Sequence, residues 1–153
     1  SGPVKHWPEF DQNGDLSVGI HQATLAEVLT HFATGTVQRR LVGQRLERMY
    51  KLAISTGQLA RFVVFGSFVT AKPDPGDVDI FMIMEESFDS NQVRGEAALI
   101  FDHLAAQNVE GASVFWIRRL AAMGGEQEAL EHWQTKRDKT RRGIVEVIND
   151  DSE

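Results

Sequence analysis

Residues 65–81, FGSFVTAKPDPGDVDIF, set a Gly-Ser pair between two apolar stretches and place Asp77 and Asp79 two positions apart at the start of the second stretch. The run RFVVF (61–65) is compact, β-branched and aromatic and stops at Gly66, which predicts a strand. VDIFMIM (78–84) predicts a second strand, and the Pro73/Pro75/Gly76 segment between them cannot continue a helix. Side chains alternate faces along a strand, so Asp77 and Asp79 share one side and Val78 and Ile80 the other. Two carboxylates about 4 Å apart repel by about 4 kcal/mol at an effective dielectric near 20, a large fraction of the roughly 5–15 kcal/mol that holds a domain folded. A divalent cation that prefers hard oxygen ligands, Mg²⁺ or Mn²⁺, would offset that repulsion while keeping water and substrate phosphates as its other ligands. A solvated strand start capping the turn is the plainer alternative.

Outward from this stretch, the rest of the chain supplies helices and further strands. Thr24 with Glu27 forms a capping-box pattern ahead of Leu25, Val28, Leu29 and Phe32, predicting a helix over about 24–33. Thr36 starts and Gly57 ends a second helix, about 37–55, with Val37, Leu41, Leu46, Met49, Tyr50, Ala53 and Ile54 as its buried stripe. Arg39, Arg40, Arg45, Arg48 and Lys51 then read as its solvated face. Helix is expected again over about 91–107 despite Gly95, strand over 113–117 (SVFWI), helix over about 125–135 and strand over 143–148 (GIVEVI). Residues 1–20 show no period and read as an irregular arm packed through Trp7 and Phe10, with Trp7 either packing or covering a ligand site. Ser1-Gly2 matches the remnant of a cleaved tag. One domain over about 21–150 follows, of α+β class, an α/β-type sandwich with helices packed against a small mixed sheet.

Composition excludes several functions. A chain of 153 residues with 42% hydrophobic and 25% charged residues has the make-up of an ordinary globular domain, and no stretch approaches the ~18 apolar residues of a membrane span. It contains no cysteine, which excludes disulfides, thiolate metal sites and thiol nucleophiles. Without a basic-then-apolar leader, a cytoplasmic location is expected. A net charge of −6 argues against general nucleic-acid affinity, though local patches can override an average. DQNGDLS (11–17) fails as a calcium loop, because its glycine falls fourth and Gln22 occupies the twelfth position, where a bidentate glutamate is needed. His6, His21, His31, His103 and His132 show no metal-ligand spacing. Ser67 lacks the G-x-S-x-G context of a hydrolase nucleophile.

The Gly-Ser pair suits an anion. A strand ending at Gly66 and turning into Ser67 and a short helix, about 67–71, presents backbone N–H groups and a hydroxyl to phosphate, and glycine lets a ligand approach the backbone closely. An ordinary turn with Ser67 as N-cap is the alternative. Lys72, within the joining turn, is a further candidate for phosphate contact. Lys136, Arg137, Lys139, Arg141 and Arg142 around Asp138 form either a solvated turn or a contact for a nucleotide, RNA or protein partner.

FGS, nine intervening residues and DVDI together resemble the signature of the nucleotidyltransferase superfamily that includes DNA polymerase β. VGIHQATLAEV (18–28), GSFVTAKPDPGDVDI (66–80) and TKRDKTRRGIVEV (135–147) also resemble a family of small bacterial nucleotidyltransferase-like proteins without an established activity. The resemblance implies that Gly66 and Ser67 hold the β and γ phosphates of an NTP and that Asp77 and Asp79 bind the escorting metal. The superfamily's third acidic residue aligns with Ser113, which neither neutralises a cation nor serves as a comparable base, and Glu110 is the candidate substitute. The implied function is metal-dependent transfer of NMP to a hydroxyl on a small molecule, protein or RNA end. The alternative is a nucleotide- or partner-binding module without catalysis, such as one half of a toxin-antitoxin or defence pair. The oligomeric state is not legible in the sequence.

Overall fold

The computed structural model describes residues 5–149, so Ser1-Gly2 and the domain's end at residue 150 lie outside the described residues. Five strands form one mixed sheet in the order β1-β5-β2-β3-β4. They are β1 (Ile20–Thr24), β2 (Leu59–Phe65), β3 (Val78–Met84), β4 (Ala112–Arg118) and β5 (Ile144–Ile148). The β2–β3 and β2–β5 pairs are antiparallel, whereas β1–β5 and β3–β4 are parallel. The expected α+β sandwich of helices on a small mixed sheet is therefore present.

Helices α1 (Leu25–Phe32) and α2 (Val37–Ser55) cover one face. The capping box is formed: Thr24 Oγ1 accepts from the Glu27 amide at 3.2 Å, and Glu27 Oε1 accepts from the Thr24 amide at 2.9 Å. Thr36 caps α2 by accepting from the Arg39 amide at 3.0 Å. A Cβ on Gly43 would lie 2.3 Å from Ala33 Cβ, so glycine is what lets α2 approach the end of α1 this closely. Beneath these helices, Val28, Phe32, Leu46, Met49 and Ala53 pack on Phe62, Val64, Ile80, Met82, Val114 and Val145. The opposite face has a smaller core of Val63, Phe81, Ile83, Leu130 and Ile144, covered by α4 (Glu126–Glu131) and the 3₁₀ turn His132–Gln134.

Four sequence expectations are corrected. Ile20–Thr24, placed at the junction of arm and helix, is an edge strand paired in parallel with β5. The stripe of α2 is rotated: Val37, Leu41 and Ile54 are exposed, while Arg39 is buried. The continuous helix over 91–107 is instead a series of short pieces, namely 3₁₀ turns Ser90–Gln92 and Gly95–Phe101, one α-turn α3 (His103–Ala105) and a π-turn Ala106–Glu110. Gly95, at φ 70°, accounts for the first break, since that backbone geometry is not helical. The short helix of 67–71 is a three-residue 3₁₀ turn, Ser67–Val69. No helix of the described residues is long and apolar enough to cross a membrane.

Arg39 fixes the segment that joins the two strands of the motif. Its guanidinium donates to the carbonyls of Phe32 (3.0 Å) and Phe68 (2.9 Å) and, through Nη2, to those of Thr70 and Lys72. Thr36 Oγ1 donates to Pro73 O at 3.0 Å and Gln38 Nε2 to Pro75 O at 2.8 Å. The first turn of α2 thus holds residues 68–75 through their main-chain carbonyls, which the two prolines and the irregular backbone leave without ladder partners.

Candidate active site

The antiparallel register places Phe65 opposite Asp79, and the parallel register places Ser113 on the other side of Asp79. Phe65, Asp79 and Ser113 therefore form one row across β2, β3 and β4 on the face that α4 covers further along. The rows beyond, including Val63 and Phe81, lie under Leu130 and Trp133, whereas the row of Asp79 opens into a cleft of about 710 Å³. Gly66, Phe65, Asp79, Ser113, Phe115 and Trp133 line its floor, and Lys136, Arg137 and Arg142, with the acid Asp138 among them, line its rim.

Gly66 has φ 80° and ψ −164°, a conformation that L side chains rarely adopt. A Cβ added there would meet Asp79 Oδ2 at 2.0 Å, so the turn that ends β2 lies directly against the carboxylate. Burial pushes the Asp79 carboxyl up to about 6, with the charge of Asp77 adding to the shift and that of Arg142 opposing it. Asp77, half-buried one residue ahead of β3, acts on Asp79 through its charge and is not among the residues that line the cleft. Arg142 is held at 3.4 Å and Lys136 at 3.6 Å by the buried carboxylate of Asp15, which brings two cations of the basic cluster to the cleft rim. The pairing of Ile20 with Ile144 carries this segment there, because Arg142 lies two residues before β5.

The chain belongs to the family DUF6932. That family is described as one of unknown function, and its model matches residues 8–148, nearly the whole of the chain. No curated protein and no solved structure matches the chain.

Other sequence-derived candidates of this DUF6932 chain lie elsewhere. Ser67 is half-buried outside the cleft, and its carbonyl accepts from the Thr70 hydroxyl at 2.7 Å. Its side chain caps nothing, the N-cap of the short turn being Gly66. Lys72 is exposed in the joining turn, away from the cleft walls. Glu110 is engaged by Arg48 of α2 at 2.7 Å and 3.2 Å and precedes the start of β4 at Ala112. Trp7 stacks on His31, with ring centroids 4.9 Å apart and planes 7° from parallel, which assigns it to packing of the arm on α1. The aromatic part of the cleft carries no sequence signal of its own: Trp133 and Phe115 fall within apolar helix and strand patterns whether or not one ring edge faces solvent.

Asp77 and Asp79 together offer a donor set suited to one hard cation, and relief of their mutual repulsion would favour its binding. Among the described residues, no group of three or more His, Cys, Asp or Glu side chains is placed to hold a metal. A hard cation held by these two carboxylates would need its remaining ligands from water or from a bound anion.

Proposed function

We propose that this chain is a nucleotidyltransferase-type domain that binds a nucleoside triphosphate with one divalent cation, and that it works as a nucleotide-binding module. The observation that carries the reading is the apposition of the Gly66 turn and the Asp79 carboxylate at one end of a cleft rimmed by Lys136, Arg137 and Arg142. The Gly66 turn leaves room for the Asp79 carboxylate to lie against main chain, Asp77 and Asp79 hold the cation that carries the phosphates, and the rim cations balance the charge left on them. When bound, Mg²⁺ or Mn²⁺ supplies neutralisation of the triphosphate. Ser113 favours binding over transfer, because the residue opposite Asp79 on β4 brings neither a negative charge nor a group able to accept a proton from an attacking hydroxyl.

Transfer of NMP to a hydroxyl of a small molecule, protein or RNA end is the second reading, favoured by the spacing of the FGS and DVDI elements. Incubation of the protein with α-³²P-labelled NTP and Mn²⁺, alone and with cell extract, separates the two. Retention of NTP on the protein without label entering any acceptor supports the binding module. Acceptor labelling that disappears in Asp77→Ala with Asp79→Ala establishes transfer, and failure to retain NTP at all rejects both.

A further inference from the structure

Beyond its phosphate end, the cleft has an aromatic wall that the metal-and-phosphate reading leaves without a task. Trp133 lies 4.6 Å from Phe65 and 5.1 Å from Phe115 between ring centroids, tilted by 33° and 31°. Phe81 closes the cluster from below at 5.1 Å from Trp133. Filling the core beneath α4 accounts for Phe81, which is 4% exposed, but not for Phe115, which is 39% exposed on edge strand β4. The outer side of Phe115 is flanked by the His103 ring at 4.9 Å, and both rings line the cleft. Along β4, Phe115 stands roughly 7 Å from Ser113, so the apolar wall begins one short step from the carboxylate end. Lys136 and Arg142, held by Asp15, face the same cavity. A ligand that satisfies both halves is planar and π-rich at one end and polyanionic at the other.

We infer that the wall of Phe65, Phe115 and Trp133 seats the base of the nucleoside triphosphate, with Phe115 as the stacking surface. The inference rests on the nucleotide-binding reading above and adds to it that affinity depends on the base as well as on the phosphates. Stacking of a base on an aromatic side chain tolerates any of the common bases, since each presents a π face, so the wall supplies affinity more than discrimination.

The test is calorimetric titration, with Mg²⁺ present, of inorganic tripolyphosphate and of the α,β-methylene analogues of ATP, GTP, CTP and UTP. The expected result is tighter binding of the nucleotide analogues than of tripolyphosphate, and a loss of roughly 5- to 100-fold in analogue affinity in Phe115→Ala with tripolyphosphate affinity unchanged. Phe115→Tyr, which keeps the ring, should retain the analogue affinity. Equal affinities for analogues and tripolyphosphate, or a Phe115→Ala variant that binds both as the parent does, would overturn the base wall while leaving the phosphate reading intact. Absence of binding by any of the five ligands would remove the phosphate reading and this inference with it. Where Phe115→Ala loses tripolyphosphate as well, Phe115→Leu replaces it, since it keeps most of the apolar volume without a ring, and the same outcomes decide.

Discussion

Asp79 and Ser113 face each other across the parallel pair β3–β4, neighbours in the row of side chains that opens into the cleft. A carboxylate at position 113 would therefore add a third acid beside Asp77 and Asp79. Ser113→Asp should lower the melting temperature in chelator by several degrees, since a further like charge at this spacing costs about 1–3 kcal/mol at intermediate dielectric. Millimolar Mg²⁺ should then raise the melting temperature of this variant by more than it raises that of the parent protein. Differential scanning fluorimetry with and without Mg²⁺ measures both effects, and equal Mg²⁺ responses would place Asp79 and position 113 too far apart to share a cation.

The raised pKa of Asp79 fixes the sign of a pH effect. With a folded value of about 6 against an ordinary 3.8, the carboxyl favours the fold when protonated. Its contribution is complete below about pH 3.8 and is lost as pH rises through 6. Asp79→Asn should accordingly stabilise the protein by a few degrees at pH 7–8, with the gain shrinking as pH falls through 6 towards 4. In carboxyl-detected NMR, Asp77→Asn should lower the Asp79 midpoint and Arg142→Gln should raise it, because Asp77 disfavours its charge and Arg142 favours it. Midpoints that stay in place in both variants would contradict the described electrostatics.

Much of the fold was legible because its signals are local. Two caps, Thr24 with Glu27 and Thr36, set the starts of α1 and α2, and the apolar runs around Gly66 and Asp77 set β2 and β3. Strand β1 was not legible, since Ile20–Thr24 offers only five residues, three of them polar, and overlaps the capping signal. The burial of Arg39 was invisible for a different reason: its acceptors are main-chain carbonyls, some about thirty residues away, and carbonyls carry no sequence signature. Within the site, the proximity of Gly66 to Asp79 followed from two adjacent strands. The arrival of Lys136 and Arg142 did not, because it depends on Asp15 and on the β1–β5 pairing.

Gly66 tolerates no side chain. Gly66→Ala places a methyl group against Asp79 and forces alanine into a backbone region that is essentially glycine's alone, at a cost on the order of 1–3 kcal/mol. The melting temperature should fall by roughly 2–8 °C, and nucleotide binding should be lost at temperatures where the variant is still folded. Retained binding would separate the turn from the site.

Arg39 is buried, and its guanidinium donates to four carbonyls, so Arg39→Lys, with a single ammonium, leaves acceptors unpaired. Urea unfolding should report a loss of about 3 kcal/mol or more. A loss below about 1 kcal/mol would show that the 68–75 segment does not depend on this anchor.

The central claim is that Asp77 and Asp79 bind a cation brought in with a nucleoside triphosphate against the Gly66 turn. Calorimetric titration of a nonhydrolysable NTP into the parent protein and into Asp77→Ala with Asp79→Ala, each with and without Mg²⁺, tests it most directly. The account predicts Mg²⁺-dependent heat in the parent protein that the double variant lacks. Binding of equal strength in the two proteins, or binding indifferent to Mg²⁺, would contradict it.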